Sequence, residues 1–280
     1  MGLITLKELF QSIPPAGAVC GFDFLQLEQV KAVVAAAEDL NSPVILMVTE
    51  GGVRYAGLEY IAALGRTAAS GTSLPVVFHL DHCTSYQLAE KAICAGFSSV
   101  MIDGSMLPFD ENVSVTRDVV KAAHSAGVSV EAELGRVGGK EDGISAENPG
   151  KFMTDPEEAA EFVEKTGVDC LAVAVGTAHG LYKGTPVLNF TLLEKIRDRL
   201  DLPLVLHGGS DLPDETVRKA IESGIRKLNI WTDLAVAQTG AIRRFLSENP
   251  GEYDPRKVFA PGTEAMKKVV EKKIRLARGY

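Results

Sequence analysis

The 280-residue sequence predicts a closed (β/α)₈ TIM barrel, a ring of eight parallel strands with helices between them. Three observations carry that prediction. Short apolar segments rich in Val, Ile and Leu recur eight times. Amphipathic runs of helical period separate most of them. Glycine closes several of those runs just before the next apolar segment.

The apolar segments are Ala18–Asp23, Pro43–Val48, Pro75–Leu80, Ser99–Asp103, Ser129–Leu134, Cys170–Gly176, Leu202–Leu206 and Ile225–Ile230. Their near-continuous hydrophobicity suits parallel strands covered on both faces. Helical patterns span Leu27–Asp39, Tyr86–Ala95, Asn112–Ala126, Pro156–Thr166, Thr191–Leu200 and Asp214–Ser223. Asp155-Pro156-Glu157-Glu158 and Pro213-Asp214-Glu215 are helix-start signals. Gly96, Gly127, Gly167 and Gly224 are stop signals. Eight repeats favour closure over an open sheet. No composition shift or linker marks a boundary, so residues 1–280 are expected to form a single domain. A helical segment over about 254–280 mixes Lys267, Lys268, Lys272, Lys273, Arg275 and Arg278 with apolar residues at helical spacing. The one long interruption, 135–154, contains Gly138-Gly139, Gly143 and Asn148-Pro149-Gly150. It is expected to lack regular structure and to form a mobile active-site loop.

The 46% apolar content is enough for one large core. The formal charge of −8, with no clustered basic face, argues against nucleic acid as a partner. The four cysteines, Cys20, Cys83, Cys94 and Cys170, form no C-x-x-C pair and fit reduced thiols in a cytoplasmic protein. No apolar run approaches the roughly 20 residues of a membrane helix. The first eight residues lack a basic region followed by a long apolar core, so no secretory signal is expected.

In a barrel of this class, reactive groups gather at the carboxyl ends of the strands. Those ends are polar here. The first segment ends in Asp23, and the second runs into Thr49-Glu50-Gly51-Gly52. The third ends His79-Leu80-Asp81-His82, the fourth ends in Asp103, and the fifth carries Glu131 and Glu133. Of only five histidines, His82, His179 and His207 fall at three such ends. Three imidazoles with an open fourth position are the usual catalytic zinc arrangement. His79, within a strand, and His124, within a helix pattern, read as structural. A separate signal points to phosphate. His207-Gly208-Gly209-Ser210 follows the seventh segment and Asn229-Ile230-Trp231-Thr232 follows the eighth, each ahead of a helix. Barrels often bind phosphate at these two turns, where glycines admit the anion and helix N-termini supply N–H donors.

Read together, these stretches resemble the class II fructose-bisphosphate and tagatose-bisphosphate aldolases. The match runs through His79-Leu80-Asp81-His82, Val100-Met101-Ile102-Asp103-Gly104-Ser105, Glu131-Ala132-Glu133-Leu134-Gly135, Gly138-Gly139 and Glu141-Asp142. It continues through Gly176-Thr177-Ala178-His179-Gly180, the two phosphate turns and Asp254-Pro255-Arg256-Lys257, over essentially the whole chain. The resemblance implies zinc held by His82, His179 and His207. It implies that Asp81 protonates the aldehyde oxygen in condensation and takes the C4 hydroxyl proton in cleavage. Glu141, on the long loop, is implied to move the proton on the dihydroxyacetone phosphate carbon. Gly180, Gly208, Gly209, Ser210, Asn229, Ile230, Trp231 and Thr232 are implied to bind dihydroxyacetone phosphate, and Asp23 and Thr49 to lie beside the substrate. Asp103 and Glu133 match a second metal site, and a monovalent cation, Na⁺ or K⁺, is expected beside the phosphate. Arg256 matches an arginine that reaches a neighbouring subunit's distal phosphate, which implies a homodimer or homotetramer. The implied setting is glycolytic carbohydrate metabolism on a sugar phosphate.

Four positions depart from the family pattern. Asp211 replaces a usual glycine, Asp23 an asparagine, Trp231 a small or acidic residue, and Lys140 an acidic or amide residue. A carboxylate beside a phosphate turn disfavours an anion unless it points away or is paired. Fructose 1,6-bisphosphate is the expected substrate, with tagatose bisphosphate or another phospho- or sulfo-ketose as alternatives. Two other classes compete. A metal-dependent barrel hydrolase usually carries His-x-His after the first strand, which this chain lacks. A non-catalytic partner subunit would have no need of Asp81, Glu141 and all three histidines.

Overall fold

A computed structural model describes residues 2–141, 144–146 and 152–278. Eight strands close a parallel barrel: β1 (Val19–Asp23), β2 (Val44–Thr49), β3 (Val76–Cys83), β4 (Ser99–Ile102), β5 (Ser129–Leu134), β6 (Cys170–Val173), β7 (Leu204–Leu206) and β8 (Ile225–Ile230). Each pairs with its neighbours in sequence, and β1 meets β8 in the register Val19↔Lys227 to Phe22↔Ile230. The chain is a (β/α)₈ barrel with an added C-terminal helix, Pro255–Arg278.

Helices Leu27–Asp39, Tyr86–Ala95 and Pro156–Thr166 have the bounds that the hydrophobic period predicts. Asp155 starts the last of these by accepting the N–H groups of Glu157 and Glu158 at 2.9 and 3.1 Å. Three further helices lie outside the expected set: Leu6–Ser12, Glu50–Ala56 and Leu58–Gly71. The 135–154 stretch also differs from expectation. Gly138–Glu141 and Ile144–Ala146 form an antiparallel pair, and Gly138 and Gly139 pair in parallel with Ala178 and His179. A Cβ on Gly139 would sit 2.4 Å from the His179 carbonyl oxygen. The glycine that reads as loop in sequence thus lets two backbones touch. Among the described residues, no helix is long and apolar enough to cross a membrane.

Strand alternation sorts the barrel residues. Phe22, Leu46, Phe78, Leu80, Ala132 and Leu228 belong to the large core under the helices. Val19, Ile45, Val77, Cys170, Ala172 and Val205 form a second cluster with Leu6, Leu9 and Phe10 of the first helix. That helix plugs the amino end of the barrel. Above the plug, the interior turns polar: His79 and Asp81 from β3, Glu131 and Glu133 from β5, and Lys227 and Asn229 from β8 are all buried. The Lys227 ammonium lies 2.7 Å from Glu131 Oε2, and both side chains are fully inaccessible. Breaking a buried pair from one side leaves an uncompensated charge, so Lys227→Met is expected to cost about 3–5 kcal/mol of folding stability. Denaturant titration tests this, and a shift under about 1 kcal/mol would show that His79 and His207 suffice to hold Glu131.

Candidate active site

The end of β3 is bent to aim two consecutive side chains at one place. Register between β3 and β4 shifts between Leu80 and Cys83, and His82 has φ of 44°. In a regular strand, neighbours point to opposite faces. Here Asp81 and His82 both line one cleft, of about 420 Å³, at the carboxyl end of the barrel. A left-handed conformation costs an L-residue about 1–2 kcal/mol. Such strain persists where surrounding structure enforces it, and it concentrates at functional sites.

His82, His179 and His207 are brought together from three loops or strand ends. One ring nitrogen from each lies within 4.8 Å of the others. His82 Nδ1 is 3.0 Å from Asp103 Oδ2, and His207 Nε2 is 2.9 Å from Glu131 Oε1. A carboxylate accepts, so these nitrogens carry the ring protons in the tautomers their partners assign. The opposite nitrogens, His82 Nε2 and His207 Nδ1, then face each other as lone pairs at 2.6 Å. Burial, then the neighbouring His82, lowers the pKa of His207 below that of an ordinary imidazole. The neutral ring is the form that ligates a metal. Three imidazoles, two of them backed by carboxylates, fit a divalent cation such as zinc.

Below the histidines lies a buried polar layer. Asn229 Nδ2 donates to both oxygens of Asp81, at 3.0 and 3.1 Å. Burial pushes the Asp81 carboxyl up, but His82, the hydrogen bond with His79, Lys227 and His207 together hold it well below the usual carboxylate range. Burial likewise raises Glu131, yet Lys227 and then His207 outweigh it and bring its pKa to about 2. Asp103 follows the same logic, with burial offset by the bond from His82, at about 2. The Lys227 pKa is raised, because Glu131 and Asp81 overcome its desolvation. His79 Nδ1 sits 2.8 Å from Ser99 Oγ, with Nε2 3.6 Å from Asp81 and 3.7 Å from Glu131. It braces this layer from the barrel axis.

The cleft is also lined by Asp23, Thr49, Gly180, Gly208, Ser210, Asn229, Trp231 and Thr232. Thr49 has a second task, accepting the Gly52 N–H to start helix Glu50–Ala56. Gly208 has φ of 67°, and a Cβ there would lie 2.4 Å from the Ala178 carbonyl oxygen. No larger residue fits between this turn and the segment carrying His179. Ser210 Oγ accepts from the N–H groups of Trp231 and Asp233, both at 3.3 Å, tying that turn to the start of helix Thr232–Glu248. Gly209 and Ile230 do not line the cleft, and the Ile230 side chain packs in the core. Asp103 and Glu133 each offer an oxygen within 4.8 Å of a His82 nitrogen and of one another. Glu133 Oε1 also accepts the Val137 N–H at 3.3 Å. Arg256 is on the surface, paired with Asp254 at 2.7 Å, and lines no part of its own chain's cleft. Glu141 ends its strand, but its side chain lies outside the described residues, as do Asp142, Gly143 and 147–151.

Asp211 is the departure that the structure explains. Its φ of 57° is the left-handed conformation for which glycine is the usual choice. Its carboxylate accepts the Tyr182 N–H at 3.0 Å, so it is turned toward that loop and is absent from the cleft wall. Lys227, Tyr182 (whose hydroxyl bonds the Gly208 carbonyl), and Leu25 and Tyr55, which also line the cleft, escaped the sequence reading. A charged residue at an inward position of β8 was the available signal for Lys227. The other three carry no local signal, because their roles depend on loops far apart in sequence.

The family described as fructose-bisphosphate aldolase class-II matches residues 5–279. A fructose-bisphosphate aldolase of Geobacillus stearothermophilus is 46% identical over 279 residues, 98% of this chain and 96% of that one. The crystal structure of the YdjI aldolase from Escherichia coli K12 superposes with a TM-score of 0.86 at 34% identity, covering 98% of this chain and 97% of the other. A putative fructose-1,6-bisphosphate aldolase structure from Coccidioides immitis gives 0.85 at 28% identity, covering 98% and 96%.

Proposed function

The chain belongs to the class II fructose-bisphosphate aldolase family and is a carbon–carbon lyase, and from that premise we propose that it is a zinc enzyme. Its reaction is the reversible cleavage of fructose 1,6-bisphosphate to dihydroxyacetone phosphate and glyceraldehyde 3-phosphate. The observation that carries this reading is Asp81, an ionised carboxylate gripped by Asn229 and set in one cleft with His82 and His179. His82, His179 and His207 would hold the zinc, which when bound would supply Lewis-acid polarisation of the substrate.

The chain's own groups do the rest. Asp81 takes the C4 hydroxyl proton, the C3–C4 bond breaks, and its electron pair stays on C3 beside the ketone. Departure of the aldehyde leaves C3 to be protonated, the task assigned to Glu141. Asn229 holds the Asp81 carboxylate in place for both directions of the reaction. The turns at Gly208–Ser210 and Trp231–Thr232 take the C1 phosphate, with the helix N-terminus of Thr232–Glu248 behind it. No lysine Schiff base is needed. Cleavage of fructose, tagatose and sedoheptulose bisphosphates and of a sulfo-ketose phosphate, each with and without chelator, tests the assignment. Activity on none of them, or activity that survives chelation, would overturn it.

Arg256 serves the distal phosphate of a neighbouring subunit in this reading, since it stands on the surface clear of its own cleft. Arg256→Ala is expected to raise KM for a bisphosphate by about tenfold or more, the scale of one charge-assisted contact. A substrate without that phosphate is expected to be almost unaffected. Equal losses on the two substrates would remove the arginine from recognition.

A further inference from the structure

We propose that Lys273, on the C-terminal helix, is a positioning residue for the phosphate turns, holding them in register and offsetting the carboxylates beside them. The inference rests on the reading of those turns as the phosphate site. Lys273 is only 6% exposed, and among the described residues it and Lys227 are the buried lysines. Its ammonium is 2.7 Å from Asp233 Oδ2 and 3.3 Å from the Gly209 carbonyl oxygen. It therefore touches the turn after β7 and the first helical turn after β8 at once.

The contacts extend beyond this pair. Asp233 Oδ1 accepts the Asp211 N–H at 3.0 Å, and Asp211 Oδ2 accepts the Tyr182 N–H at 3.0 Å. The Tyr182 hydroxyl accepts from Ala178 N–H and donates to the Gly208 carbonyl, each at 3.0 Å. One continuous chain of hydrogen bonds thus runs from the C-terminal helix through both phosphate turns to the segment carrying His179. Two carboxylates, Asp211 and Asp233, stand in that chain, close to where a dianion is to bind. Unopposed, they repel it. A buried ammonium against Asp233 cancels one of them at short range, where salt screens little. The same bond fixes the helix start, whose first residues, Trp231 and Thr232, line the cleft.

The test uses the zinc-loaded, full-length protein and titrates it with dihydroxyacetone phosphate and with inorganic phosphate. Lys273→Met is expected to weaken both at least about tenfold, the scale of one lost charge-assisted contact. KM for the sugar phosphate should rise in step, while kcat and zinc content change little. Lys273→Arg should recover much of the affinity. Lys272→Met, on the exposed side of the same helix, should behave as the unmodified protein. Should Lys273→Met fail to fold, Lys273→Gln, which keeps donors but loses the charge, carries the same comparison. Folded Lys273 variants that bind phosphate normally would overturn the inference. So would a parallel fall in kcat, zinc content and affinity that arginine does not rescue. If the unmodified protein binds neither ligand, the phosphate reading itself falls, a result distinct from failure of the lysine's role alone.

Discussion

Stripping the metal, by a strong chelator or by His179→Ala, is expected to abolish cleavage, with a loss of about 10³-fold or more. A Lewis acid is worth several kcal/mol of transition-state stabilisation, and each 1.36 kcal/mol is a factor of ten. The two treatments should differ in reversibility. Zinc added back should restore the chelated protein and leave His179→Ala inactive, because only two of the three imidazoles then remain. Metal analysis on the same samples ties the two losses together. Full activity in metal-free protein would remove the central element of the proposed mechanism. His82 and His207 are less clean targets, since each is bonded to a buried carboxylate that its removal would leave exposed to desolvation cost.

Asp81→Ala should separate chemistry from metal binding. General acid–base groups contribute typically about 10²–10⁴-fold, and the loss should fall on kcat. Zinc content should stay near stoichiometric, because the ligand nitrogens are backed by Asp103 and Glu131 and not by Asp81. Stability needs a parallel check. Asn229 donates to both Asp81 oxygens, and Lys227 lies 4.0 Å away, so removal leaves buried donors with less to satisfy them. Asp81→Asn keeps the volume and is the better-behaved partner variant. Turnover within about tenfold of the unmodified protein in both variants would assign the proton step to another group.

Much of the architecture is legible in the sequence, for reasons that are local. Strands buried on both faces are apolar throughout, and helices with one buried face show a period near 3.6. Helix Pro156–Thr166 is a clear instance, marked by an aspartate cap at one end and Gly167 at the other. Helix Leu6–Ser12 shows the limit. It has a capping box between Thr5 and Glu8, yet its purpose, closing the amino end of the barrel against Ile45, Val77 and Val205, is not local. The hairpin at Gly138–Glu141 is hidden for the same reason. Its pairing depends on Ala178 and His179, about forty residues on, and its glycines imitate a loop.

Polar residues at the strand ends were enough to single out His82, His179 and His207, because a barrel sends all its strand ends to one rim. What the sequence by itself determined was this rim: which side chains arrive there, and what family they resemble. Only the tertiary structure decided how they are held. It turned His82 into a left-handed bend so that it lines the same cleft as Asp81. It set Lys227 against Glu131, and Glu131 against His207. It also brought Lys273 from the last helix to Gly209 and Asp233. The contacts of Lys227, Glu131 and Lys273 each depend on a charge meeting a partner dozens of residues away in a dry interior. Spacing along the chain records which groups exist, whereas closure of the barrel chooses which of them touch.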